Sequence, residues 1–132
     1  MTAGLAPSLV SGWLNTLRTA GAAYGPVAGT FVQLHTGDPG AASTSNVSVG
    51  STTRNSATFA ASASGSALAL SGTPSAWTNG GTSETLTHIS VWTASTSGTF
   101  LFSVALTASK AWASGDQFTL STLGVALTPQ SA

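Results

Sequence analysis

The chain has 132 residues, 42% of them hydrophobic, with no cysteine and a formal net charge of zero; that length reads as one domain with room for one apolar core. Only 5% of its residues are charged, against about 25% in an ordinary soluble domain. Three cations facing three acids exclude a phosphate-binding footprint, and with it nucleic acid, no stretch reaches the ~18 apolar residues of a membrane helix, and disulfides and thiolate metal sites have no ligand.

Near the start, Leu5, Leu9, Val10, Trp13, Leu14 and Leu17 recur at the spacing of one helical face. Pro7 suits a first helical turn, Arg18 suits the last, and Gly21 can take the position after the end. The pattern predicts a helix over about 7–20. The segment has no basic leader region, and Pro7, Ser11 and Gly12 interrupt its apolar run, which argues against a secretory signal. Its apolar stripe has two readings. It packs on its own domain, as amphipathic faces generally do, or it docks on a neighbouring subunit. Leu9, Trp13, Leu14 and Leu17 are the candidate interface residues, with Trp13 foremost because tryptophan is enriched at interface hot spots. Residues 1–28 thus form a helix and connector, and 29–132 a β domain.

Phe31 to Thr36 alternates as a strand does, with Phe31, Gln33 and His35 on one side and Val32, Leu34 and Thr36 on the other. Gly37, Asp38, Pro39 and Gly40 then stop it. Asp38 can close an Asx-turn, Pro39 fixes φ, and the glycines allow positive φ. Residues 37–55 carry no periodicity and read as a long loop, the kind that is usually functional or mobile. Strands follow at about 56–62 and 66–71, with a turn at Ser64-Gly65. Trp77 lies in a loop and is expected to reach back to the core. The strongest strand signal is 84–94. Leu86, His88, Ser90 and Trp92 alternate there with Thr87, Ile89, Val91 and Thr93, so both faces carry bulk and the strand should be central. Strands at 99–106, 117–121 and 124–128 complete the set, with turns at Ser95–Gly98 and Ser114–Asp116 and a stop at Pro129. Many short strands separated by turns predict a mainly β fold, an antiparallel β-sandwich or jelly-roll-like domain with one short N-terminal amphipathic helix. No heptad stretch long enough for a coiled-coil shaft is present.

Few side chains could carry chemistry. His35 and Asp38 are close in sequence, and His88 falls on a strand that could pair with theirs. A metal centre needs three ligands, and a nucleophile needs an oriented base. Two histidines and three carboxylates are better read as structural hydrogen-bonding groups. No catalytic, cofactor-binding or metal-binding residues are assigned. Asp38 and Asp116 are turn formers, and Glu84 is a solvated strand end. Arg54 is a further interface candidate, since arginine is favoured at interfaces. Trp77, Trp92, Phe100, Phe102, Trp112 and Phe118 are core aromatics.

The strand ending in Leu34-His35-Thr36-Gly37-Asp38-Pro39-Gly40 resembles a family of small virion proteins of tailed bacteriophages, common in phages of actinobacteria. The preceding amphipathic helix, the stretch Thr85–Ala94 and the stretch Phe100–Lys110 followed by Gly115-Asp116 are similar to that family's helix, long middle strand and closing hairpin. Thr93 departs from the pattern, which has an acid after the tryptophan, as does the Ser/Thr tract at 43–53. The resemblance implies a virion structural protein, with relatives described as tail fibre, minor tail or head decoration proteins. It also implies a homo-oligomer, a trimer first, whose other partners are the major capsid protein or tail proteins. A charge-poor surface favours association, and a compact domain without a shaft places capsid decoration first among the expectations. A tail fibre or minor tail protein is the alternative, and a host-surface glycan-binding module the third reading.

Overall fold

The computed structural model describes residues 3–18, 25–61 and 67–126. The expected positions of Gly21, the Ser64-Gly65 turn and Pro129 lie outside them. Among the described residues antiparallel strands dominate, as expected, with one helix, α1 (Pro7–Asn15), ahead of them. A four-stranded sheet has the order β2 (Asn55–Ser56), β1 (Phe31–His35), β6 (Glu84–Trp92), β7 (Phe100–Trp112). A second sheet has the order β3 (Phe59–Ala60), β4 (Ala67–Leu70), β9 (Gly124–Ala126). A two-stranded ribbon joins β5 (Trp77–Thr78) to β8 (Gln117–Phe118).

The helix is shorter than its apolar pattern. Pro7 opens it, and Ala6 lies before it without a side-chain cap. Instead the Ala6 N–H donates to the Leu101 carbonyl at 2.7 Å, so the edge of β7 sets where α1 begins. At the other end Thr16, Leu17 and Arg18 donate to carbonyls three residues back, and the Thr16 hydroxyl also takes the Trp13 carbonyl at 2.6 Å. The ladder tightens into a 3₁₀-type turn there, and Arg18 lies past the helix rather than in its last turn.

β1 and β6 form the centre of the large sheet, with Val32 opposite Val91 and Leu34 opposite Ile89. These four side chains join Leu86, Leu101, Trp77, Trp112 and Phe118 in one buried cluster. Strict alternation would put Leu86 on the opposite face from Ile89. A register shift between Leu86 and His88 breaks the alternation, as β-bulges do. The second sheet covers the cluster, and Phe59 meets Phe102 with ring centroids 6.4 Å apart. Trp77, expected in a loop, is in β5, buried beside Phe118 at 5.9 Å. The strand expected at 56–62 is instead two strands of different sheets. The chain changes sheet at Ala57 and Thr58, where the Ala57 N–H donates to Thr30 and Thr58 exchanges bonds with Ser71. β7 runs six residues beyond its expected end at 106, and β8 is shorter than expected.

The turn between β6 and β7 depends on two residues with positive φ, Ser97 (φ 57°) and Gly98 (φ 77°). A Cβ at 98 would sit 2.9 Å from both the Ala94 backbone nitrogen and its Cβ. Gly98→Ala is therefore expected to lower stability by about 1–2 kcal/mol, measured by urea unfolding; an unchanged midpoint would show that this turn relaxes freely.

Candidate assembly surface

The second face of the large sheet is polar, yet it is buried. Gln33, His35, Ser90, Trp92 and Ser103 are all buried, and a directed chain of hydrogen bonds runs through three of them. Trp92 Nε1–H donates to Ser90 Oγ at 2.8 Å. Ser90 Oγ–H donates to His35 Nε2 at 2.7 Å. His35 Nδ1–H then donates to the Ser45 carbonyl at 2.8 Å. A carbonyl only accepts, so this bond fixes the neutral tautomer with the proton on Nδ1. His88 lies directly across from His35, but its Nδ1 is paired with the adjacent Thr87 hydroxyl at 2.9 Å. Burial pushes the His35 pKa below its ordinary value; the Ser45 bond opposes this, and His88 and Arg54 add to it.

The segment that covers this face is 37–55, and it is laced to the sheet. The Val47 backbone bridges to His35, Thr36 N–H donates to Asn46, and Ser48 N–H donates to Leu34. Asp38 closes the expected Asx-turn, its Oδ1 accepting from Gly40 N–H at 2.8 Å. Gly40 takes φ 76°. Gly37 does not use positive φ; a Cβ there would lie 2.9 Å from Asn46 Nδ2. Pro39 is buried. The turn of Gly37, Asp38, Pro39 and Gly40 thus starts a strap across the sheet; the segment is a long loop, as expected, and these bonds tie it to the sheet.

Glu84 is the clearest correction among the polar residues. It is no solvated strand end. Its carboxylate accepts from the Ser48 hydroxyl, from Val49 N–H at 3.2 Å, from Gly50 N–H at 3.1 Å and from Trp112 Nε1–H at 3.1 Å. Burial disfavours its charge, but the bonds from Ser48, Gly50, Trp112 and Val49 together outweigh that and hold its pKa below the ordinary value. Sequence reading missed it because all four donors are remote in sequence or generic backbone.

Arg54, an interface candidate, is used within the chain. Its guanidinium lies 3.9 Å over the Trp92 ring and donates to Gln33 Oε1 at 3.3 Å, to the Ala94 carbonyl at 3.3 Å and to the Ser97 carbonyl at 2.6 Å. It ties the strap to the β6–β7 turn. The helix residues divide by face. Leu9 is buried in the core cluster and Trp13 packs against its rim, whereas Leu14 and Leu17 are 60% and 82% exposed. Between α1 and the second sheet lies an apolar groove of about 420 Å³, walled by Leu9, Trp13, Phe59, Leu68, Phe102 and Val125. The structure therefore brings Leu9 and Trp13 to one groove, leaves Leu14 and Leu17 beyond it, and puts Arg54 elsewhere. Among the described residues, no three His, Cys, Asp or Glu side chains converge to hold a metal ion.

No curated protein matches the chain significantly. The sequence model of one family, described as podophage GP4 fiber I protein gp80, matches residues 6–128. That match takes in α1, both sheets and the strap. The chain belongs to this family of phage structural proteins, the podophage GP4 fiber I protein gp80 family.

Proposed function

We propose that the chain is a non-enzymatic component of a phage tail fibre, working as an assembly of identical copies. The fibre description of the family carried by residues 6–128 is the observation that supports it. It also reverses the order of the expectations drawn from composition, which put capsid decoration ahead of the tail. The organisation of the fold is compatible with a structural role. His35, Asp38, Glu84 and Arg54 are engaged in holding the strap and turns, and Leu14 and Leu17 at the end of α1 are exposed apolar side chains. The test is location and copy number. Cryo-imaging of particles carrying a labelled chain should show density on the tail, in few copies per particle. Label over the whole capsid in hundreds of copies would overturn the fibre reading and restore decoration.

Attachment should not depend on charge. Six formal charges summing to zero offer little to screen, so apolar burial, at about 25 cal/mol per Å², should dominate the contacts. Raising salt from about 0.1 to 1 M shortens the Debye length from ~10 to ~3 Å. Particles washed at both salts are expected to keep the same amount of the protein. Release of most copies at high salt would assign the attachment to a few ion pairs.

A further inference from the structure

We propose that residues 41–51 are an acid-opened part of the strap, closed over the polar face of the large sheet at neutral pH and lifted from it, with both sheets still folded, as His35 and then Glu84 take up protons. Little apolar burial holds this stretch down. Its only large apolar side chains are Val47 and Val49, and Val49 is 70% exposed. Two further features count against closure. The Ser43 hydroxyl is buried without a hydrogen-bond partner among the described residues, which costs free energy. Ser43 and Asn46 each take a φ of 54°, the left-handed region that side chains disfavour, asparagine less than serine. Segments with few buried apolar contacts open locally while the rest of a domain stays folded.

What closes the stretch is polar, and two of its fastenings titrate. His35 bonds the Ser45 carbonyl through Nδ1–H, and the Glu84 carboxylate accepts from Ser48, Val49 and Gly50. Backbone bonds at Asn46, Ser48 and Gly50 complete the seam. On either side, the turn closed by Asp38 and the Arg54 guanidinium over Trp92 fix the ends. His35 is fully buried and held from two elements, since Ser90 of β6 donates to its Nε2. The charged groups that act on it are His88, directly across on β6, and Arg54 beyond the end of the stretch. Neither is an acid, so a proton on His35 meets burial and repulsion while the strap is closed. Glu84 is faced by Ser48, Val49, Gly50 and, from β7, Trp112, all neutral donors that converge on its charge. Both groups act in the same direction. Closed, His35 holds its proton less readily than at its ordinary 6.5, and Glu84 less readily than at 4.5. The open form therefore takes up each proton first, and acid favours opening in two windows, one starting near 6.5 and one near 4.5.

The test is amide hydrogen exchange of the full chain between about pH 7.5 and 3.5, each rate divided by its intrinsic rate at the same pH. Protection at 43–50 is expected to fall from near pH 6.5 downwards, by at most about tenfold per pH unit, the limit for one proton. Protection at 86–92 should hold over the first window, and returning to neutral pH should restore the strap. His35→Gln should abolish the first window and leave the second; Glu84→Gln should do the reverse. Ser43→Ala removes the unpartnered hydroxyl and should raise strap protection several-fold at every pH, which decides the matter if His35→Gln does not fold. Strap protection independent of pH across the first window, protection at 86–92 lost in step with the strap, an unchanged first window in folded His35→Gln, or strap protection not raised in Ser43→Ala would overturn the proposal. None of these results bears on where the protein sits in the virion, which the imaging experiment decides.

Discussion

Glu84→Ala is expected to lower the unfolding free energy by about 3 kcal/mol at neutral pH, because it strands buried donors that have no other partner. Trp112 is buried and its indole N–H points at Glu84 Oε1. Ser48 and Gly50 are buried too, and both donate to the same carboxylate. The loss should appear as a lower urea midpoint with an unchanged slope, since the contact belongs to the folded state. Glu84→Gln keeps one acceptor oxygen and should cost less. The acid dependence has a definite sign. The folded-state pKa lies below 4.5, so the unfolded chain protonates first as pH falls. Stability from this carboxylate is complete above the unfolded value and is lost as pH drops from about 4.5 through the folded pKa. Glu84→Ala should remove that dependence along with the stability. A loss under ~1 kcal/mol would mean that water replaces the carboxylate, and the strap would then owe little to Glu84.

His35→Ala should cost a similar amount, about 3 kcal/mol, combining a cavity in a fully buried site with the loss of two hydrogen bonds. Its effect should be concentrated in the strap, because His35 is the side chain that holds the Ser45 carbonyl against the sheet. Hydrogen exchange should therefore rise at 43–48 well before it rises in β6. Acid should do part of the same work in the wild type. His35 titrates below its ordinary 6.5 in the fold, chiefly through burial, so the unfolded chain takes up the proton first. Stability is full above about 6.5 and falls as pH drops from there through the folded-state pKa. Above about 4.5 Glu84 adds nothing to this slope. Protonated Nε2 becomes a donor, and the Ser90 hydroxyl, which already accepts from Trp92, must turn its own proton away. Melting temperatures between pH 7.5 and 5 should fall in the wild type and fall less in His35→Gln. Equal slopes would place the titrating group elsewhere.

The sequence by itself determined the β class, the helix before it, the turn at Gly37 to Gly40 and the central position of the strand carrying Ile89 and Val91. These follow from local rules. Alternation marks a strand, bulk on both sides marks a covered one, and Asp38 before Gly40 closes a turn through its own backbone. Trp77, Phe102, Trp112 and Phe118 were legible as core for the same reason, since large rings dominate core burial, whereas Phe100 is only partly buried at the rim and Trp92 lies on the polar face under Arg54. Only the tertiary structure decided which polar residues hold the fold together. Glu84 meets donors from 48–50 and from Trp112, and Arg54 meets Trp92, across sequence separations that carry no periodic signal. That the long loop 37–55 is bonded to the sheet was not legible, because its bonds run from backbone groups to remote partners, which composition does not encode.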